Sequence, residues 1–370
     1  MRYIYSNEKW PQFEWDMGRI ADMLAVVRHK QGLLLGKMRT LGFSLQAEAG
    51  LETLTEDIVK SSAIEGERLN SPLVRSSLAR RLGIDIGGAT PTSRHIEGIV
   101  EMMLDTTQHY AEPLTKKRLV GWHAALFPTG FSGSRKITVG AWRTPESGAM
   151  QVVSGPIGHE KIHFEAPPAD ALEKEMSAFL GWFDAPVAID PVLKAGIAHL
   201  WFVTLHPFED GNGRIARAIA DCALARADTC PQRFYSMSAQ IEQERKDYYA
   251  MLENTQRGGL DITRWLAWFL GCLDRAIDGS ERLFASVLRK ADIWNKVNQY
   301  PLNERQKGIL NRLLDNFVGK LTSSKYAQLA KCSPDTALRD IRELMEYGIL
   351  KQGKSGGRST SYALWDDDIF

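Results

Sequence analysis

His206-Pro207-Phe208-Glu209-Asp210-Gly211-Asn212-Gly213-Arg214-Ile215-Ala216-Arg217 is the stretch on which the reading of this 370-residue chain turns. Ahead of it, Pro191 to Leu205 carries Leu193, Ile197, Leu200 and Val203 at spacings of three and four, which predicts a helix. Behind it, Ile215, Ile219, Cys222 and Ala223 resume the helical period. The chain therefore passes from helix to helix through Gly-Asn-Gly. Such a turn, opening a helix, presents bare backbone N–H groups at the positive end of the helix dipole and makes an anion site. Arg214 and Arg217, three residues apart, can point to one side. Their guanidinium forks suit polyphosphate oxygens. Asp210 stands where a hard carboxylate can hold Mg2+ between phosphates. His206 is the residue here whose ordinary pKa suits general-base work near neutrality. Alone, a His before Pro reads as a loop residue and a Gly-Asn-Gly as a turn. Together they place a base, a metal ligand, an anion loop and two cations within twelve residues.

This run matches every fixed position of H-x-F-x-[DE]-G-N-G-R-x-x-R and so resembles the signature of the Fic (filamentation-induced-by-cAMP) family. Ala198-His199-Leu200-Trp201-Phe202 is similar to the helix that leads into it. The resemblance implies a mainly α fold: a Fic-type helical core with a β-hairpin flap. It also implies transfer of AMP from ATP, with Mg2+, to a Ser, Thr or Tyr hydroxyl of a protein. By position, His206 deprotonates the hydroxyl, Phe208 anchors the loop and Asp210 binds the metal. Gly211, Asn212 and Gly213 form the anion hole, and Arg214 and Arg217 hold the β- and γ-phosphates. Tyr248-Tyr249-x-x-Leu252 resembles the family's helix near the adenine pocket, although two tyrosines on a helix equally suit a core. The flap that clamps a target by strand addition falls on the glycine-rich stretch from Gly140 to Phe164, with Met150, Gln151, Val152 and Val153 as its first strand. A Walker-type loop is excluded, because Gly36-Lys37 runs into Met38 and lacks the upstream spacing.

Farther upstream, the period of Leu51, Leu54 and Ile58 continues to Ser61, and Ser61 and Glu65 lie four apart ahead of Gly66, a plausible helix terminator. Glutamate near a helix end is commonplace. Beside a complete signature, however, the run resembles the family's inhibitory motif, [ST]-x-x-x-E-[GN]. The resemblance implies that Glu65 pairs with Arg217, supported by Ser61, and blocks the γ-phosphate position. The same glutamate in some relatives supports removal of AMP, so a bifunctional enzyme is also implied.

The remainder bounds these expectations. Hydrophobic residues make up 44% and charged residues 25%, ordinary for a chain of about two to three globular domains. A net charge of +1 argues against a surface built wholly for nucleic acid or anionic lipid. Cys222, Cys230, Cys272 and Cys332 form no C-x-x-C pair. With no basic-apolar leader and no long apolar run, the chain reads as a cytoplasmic protein without a membrane span. Residues 1–85 read as an N-terminal helical extension carrying the inhibitory helix, resembling one seen on some bacterial Fic proteins, and 86–285 as the catalytic core. Residues 295–370 resemble a winged helix, with Ser333 and Pro334 starting the helix that bears Thr336, Arg339 and Arg342. Lys351, Lys354 and Arg358 fall on the wing. From 301 to 365 there are 11 Lys+Arg against 6 Asp+Glu, a +5 that suits a modest DNA-facing patch but ends near Asp366-Asp367-Asp368. The partners implied are ATP, an unidentified target protein or the chain itself, and DNA, with a homodimer compatible with all of them. The rival reading is a DNA-binding regulator whose Fic core only senses nucleotide, and an intact His206 argues for chemistry instead.

Overall fold

The structure, a computed structural model, describes residues 3–86, 92–156, 159, 161–186, 188–314, 317, 319–353 and 360–365. Among them the chain is mainly helical with three two-stranded antiparallel sheets, the class that its periodicity predicts. It divides into two compact units, Met1–Arg81 with Pro91–Phe284, and Leu82–Thr90 with Ala285–Phe370. The N-terminal helices and the signature-bearing core thus share one unit. In chain order this unit has α1 (Met17–Arg39), α2 (Phe43–Ile64), α3 (Ser71–Leu82), α4 (Arg94–Gln108) and α5 (Lys116–Leu126). Two hairpins follow, β1 (Phe131–Ser132) with β2 (Arg135–Lys136), and β3 (Gln151–Ser154) with β4 (Lys161–Glu165). Then come α6 (Leu172–Asp184), α7 (Pro191–Leu205), α8 (Asn212–Asp228), α9 (Met237–Gln243) and α10 (Arg245–Gln256), before α11 (Thr263–Val297), within which the unit boundary falls. The glycine-rich stretch therefore holds two hairpins where the sequence suggests one. Gly130 (φ 79) just before β1 and Gly133 (φ 57) in the turn between β1 and β2 take the left-handed backbone needed for so tight a reversal.

The centre is the pair α7 and α8. Asp190 caps α7 by accepting from Val192 N–H at 2.8 Å, Pro191 occupies the first turn, and every residue from Ala195 to Leu205 is buried. A helix buried on all sides needs neighbours on all sides, and α6 and α8 pack on it while α2, α4 and α5 pack on α8. Midway along α2, Asp57 Oδ1 accepts from Ser236 Oγ at 2.5 Å and Ser238 N–H at 3.1 Å, tying that helix to the start of α9. At the end of α2, Gly66 (φ 86) makes a reversal in which Gly66 N–H donates to Ala63 O and Glu67 N–H to Ser62 O, both 3.0 Å. The aromatic N-terminal segment packs on the same body. Trp10 and Phe13 meet Trp201 edge-on, and Trp10 Nε1 donates to Glu175 at 2.9 Å. All four cysteines are free, and among the described residues no helix is long and apolar enough to cross a membrane.

The second unit holds α12 (Glu304–Leu314), α13 (Ser323–Ala330), α14 (Pro334–Glu346) and the hairpin of β5 (Leu350–Gln352) with β6 (Tyr362–Leu364). Ile309, Leu310, Tyr326, Ile341 and Leu344 form its core. Ser333 caps α14 by accepting from Thr336 N–H at 3.2 Å. Arg339 and Arg342 are exposed on α14. Lys354, Arg358 and Asp366-Asp367-Asp368 lie outside the described residues.

A Cβ at Gly98 of α4 would overlap the carbonyl oxygen of Ala125 at the end of α5, so these helices meet backbone to backbone. Gly98→Ala is expected to cost about 1–3 kcal/mol. Gly121→Ala on the open face of α5, where nothing lies within 4 Å, should leave stability equal or raise it by about 0.5–1 kcal/mol. Thermal melting of the two variants checks the contrast, and equal melting points would contradict the close crossing.

Candidate active site

α7 ends at His206, held in the left-handed region (φ 48, ψ 56), with Pro207 behind it. His206 Nδ1 lies 2.7 Å from Val203 O. A carbonyl can only accept, so Nδ1 carries the proton and Nε2 keeps its lone pair, the state a base requires. Burial disfavours the imidazolium and holds the His206 pKa below its ordinary value, against an opposing pull from the Val203 carbonyl. The turn is clamped by Arg143, whose Nε donates to His206 O at 2.8 Å and Nη2 to Pro167 O at 2.5 Å, while its N–H donates to Pro207 O at 2.8 Å. Nothing in the sequence marks Arg143, because its partners are backbone carbonyls more than twenty residues away.

The loop is built inward from Phe208, which is fully buried and stacks on His123 at 4.1 Å with 5° between the rings. Burial pushes the His123 pKa down to about 4. Asn212 closes the loop: its Oδ1 accepts from Phe208 N–H at 3.0 Å and its Nδ2 donates to Phe208 O at 2.8 Å. Its side chain is thus a brace, and what it can offer an anion is its backbone. Gly211 (φ 79) precedes α8, and a Cβ there would sit 2.8 Å from the Phe127 ring. A Cβ at Gly213 would strike the Glu65 carboxylate. Gly211 is therefore required by its backbone and by the ring over it, whereas a side chain at Gly213 would displace the Glu65 carboxylate.

Asp210 Oδ1 accepts from Gly211 N–H at 2.6 Å, and Oδ2 is approached by Ser132 Oγ of the first hairpin. Among the described residues no group of three or more His, Cys, Asp or Glu is arranged to hold a metal. One hard carboxylate beside an anion loop fits Mg2+, which commonly takes one or two carboxylates and draws its other ligands from phosphate and water.

Arg217 is buried on α8. Its Nε donates to Ser61 Oγ and its Nη2 to Ser61 O, both at 2.9 Å, and Nη2 also reaches Glu65 Oε1 at 2.8 Å. Burial pulls its pKa down, but the Glu65 carboxylate more than offsets this and lifts it. Arg214 lies over the Phe127 ring at 5.1 Å and pairs with Glu67 at 3.1 Å. The remaining oxygen of Glu67 is against His95 Nε2. The sequence reading places Glu65 but passes over Glu67, although the Glu-Gly-Glu run is visible; its partner is 147 residues away. Among the described residues, Arg217 Nη1 and Arg214 Nε have no hydrogen-bond partner. Both atoms are buried.

The two tyrosines part company. Tyr248 is buried, bonded to His199 at 2.9 Å, with its pKa raised by burial. Tyr249 is 37% exposed and reaches Ile64 O at 3.3 Å. On β3, Val152 faces Phe164 and Val153 faces Ile162 across a bulge, Gln151 bonds Glu165 at 2.7 Å, and Met150 O accepts from Ala166 N–H at 2.9 Å. Val153 and Ile162 are the exposed apolar residues of this hairpin. Arg257 on the turn after α10 fixes the base of β4, donating to Ile162 O at 2.8 Å and His163 O at 3.1 Å. Thr336, Arg339 and Arg342 belong to the other unit.

Two helices joined through a braced Gly-Asn-Gly loop, with a neutral histidine and two buried arginines, gather the signature residues into one site. Comparison with known families agrees: residues 113–224 match the model described as Fic/DOC family, and residues 3–84 match Domain of unknown function (DUF4172). Over residues 113–224 the chain is therefore similar to the Fic/DOC family. It is 27% identical over 235 residues to a protein adenylyltransferase Fic of Nematostella vectensis, covering 61% of this chain and 48% of that one. With its namesake in Culex quinquefasciatus it shares 27% over 271 residues, covering 70% and 49%. The chain thus spans about half the length of the curated relatives it matches. A Fic family protein from Desulfovibrio desulfuricans G20 superposes with a TM-score of 0.50 at 20% identity, covering 95% of this chain and 97% of that one. A Fic domain containing signaling protein from Bacteroides thetaiotaomicron gives 0.50 at 17% identity, covering 72% and 98%. At these identities the structures speak for a shared fold.

Stability should fall in acid. In the unfolded chain an imidazole gains its proton near pH 6.5, whereas folded His123 resists it down to about pH 4. The unfolded state binds more protons between these values, so stabilisation present above pH 6.5 is lost as pH falls to 4, by about 3 kcal/mol for this group. In His123→Gln the fall of melting temperature over that range should be shallower. An unchanged slope would refute the assignment.

Proposed function

We propose that the chain is a protein adenylyltransferase held off by its own Glu65. The observation that carries the reading is the set formed by a neutral His206 Nε2, a loop of backbone donors and two arginines with unmet donors. A Ser, Thr or Tyr hydroxyl of a target protein, or of another copy, attacks the α-phosphorus of ATP. Its proton passes to His206 Nε2, the new O–P bond forms, the bond to the β-phosphate breaks and pyrophosphate leaves. Backbone N–H groups of Gly211 to Gly213 and the guanidinium groups of Arg214 and Arg217 stabilise charge that develops on the phosphates. Asp210 would hold Mg2+, which would supply neutralisation of phosphate charge. The β3–β4 hairpin offers an edge and the Val153–Ile162 pair to an extended target segment. Partly exposed Tyr249, its ring 5.2 Å from that of Tyr248, is the face offered to an adenine ring. The ion pair of Glu65 with Arg217 supports the brake.

Labelled ATP tests the scheme. Glu65→Gly should raise label transfer at least about tenfold, and His206→Ala should lower it about 10²–10⁴-fold. Equal labelling of Glu65→Gly and parent would remove the brake, and label persisting in His206→Ala would remove the base. Because burial lowers the His206 pKa, activity should be lost in acid only below pH 6.5. A kcat/KM limb at or above that value would contradict the lowered pKa of His206. Mass spectrometry of Glu65→Gly after incubation with ATP reports whether the chain modifies itself and on which residue type.

A second reading attaches to the second unit. We infer a winged helix from α12, α13 and α14 followed by the β5–β6 hairpin, to whose β6 Leu321 O adds a bond from Tyr362 N–H at 2.8 Å. Exposed Arg339 and Arg342 on α14 support contact with a DNA backbone. Duplex binding should weaken with salt and in Arg339→Ala/Arg342→Ala. Binding indifferent to both would dismiss the reading.

A further inference from the structure

Glu67 treats Arg214 as Glu65 treats Arg217. The pairs measure 3.1 Å and 2.8 Å, and the two carboxylates are a single residue apart in the chain. The arginine side chains are 8% and 3% exposed, whereas Glu67 and Glu65 are 33% and 32% exposed. The acids therefore cover the guanidinium groups from the open side, the side from which a ligand must come. Gly66, at φ 86, turns the chain between them so that two consecutive carboxylates converge on one face of α8. Glu67 is held in its charged form: the hydrogen bond to His95 lowers its pKa, and the charges of His95 and Arg214 add to the effect.

The geometry points to a two-carboxylate clamp, Glu65-Gly66-Glu67, which occupies both arginines at once as an internal stand-in for the β- and γ-phosphates. This deepens the nucleotide reading above and rests on it. Each acid engages its arginine through one oxygen and leaves a buried donor unmet, Nε of Arg214 and Nη1 of Arg217. A phosphate has three oxygens to offer and can satisfy more of them. The clamp therefore competes with the polyphosphate and with nothing else on the nucleotide. Releasing Glu65 alone frees one arginine and leaves the other covered. The competing view makes Glu67 a prop that holds Arg214 ready for ligand, and it predicts the opposite sign.

Calorimetric titration with ATP and with AMP decides between them, using His206→Ala protein so that no turnover occurs. Glu65→Gly, Glu67→Gln and their combination are compared in that background. Glu67→Gln should tighten ATP by about fivefold or more and leave AMP unchanged, and the combination should bind ATP tighter than either single variant. ATP affinity unchanged or weakened by Glu67→Gln, while Glu65→Gly tightens it, overturns the clamp and leaves the nucleotide reading standing. If neither the parent nor any variant binds ATP, the nucleotide reading falls and the clamp with it. Glu67→Ala, also melted against the parent, separates a lost clamp from a lost fold.

Discussion

A guanidinium with no water around it must have partners, and Arg217 is where that constraint falls. Buried in the middle of α8, it would be an uncompensated charge if α2 did not bring Ser61 and Glu65 to it. α2 is also held by Asp57, which accepts from Ser236 and Ser238 at the start of α9. One electrostatic requirement thus joins the N-terminal helices to the core, and the two lie in one compact unit.

What could be read from the sequence is what is local. The α7–loop–α8 passage shows itself because caps, period and glycines act within a few residues, and the reversal at Gly66 shows itself for the same reason. Glu65 was within reach only through its resemblance to a known motif, since its partner is 152 residues away. Arg143 and His123 escaped because they act through backbone carbonyls and through a buried ring face, neither of which leaves a pattern in the chain. Tyr248 and Tyr249 are adjacent in sequence yet one is core and one is surface, a difference that helix rotation against its neighbours decides. The glycine-rich stretch showed its strands but not their grouping, because pairing partners are a long-range property.

The signature also divides labour in a way its letters do not show. Asn212 and Phe208 shape the loop through their side chains, whereas Arg214 and Arg217 leave donors unmet. The first pair belongs to folding, and the second carries the binding role only in the proposed function. Ser132, from the first hairpin, and Arg143 belong with the former, orienting Asp210 and the His206 turn from outside the motif.

The brace made by Asn212 has one more consequence. Because both of its hydrogen bonds close on the backbone of Phe208, the anion loop has its final shape before any nucleotide arrives, and its ordering entropy belongs to folding. Under the proposed brake, the covering segment is then the part that must move. The speed of response would be set by how quickly a short helix end lets go, and hardly at all by the site assembling itself.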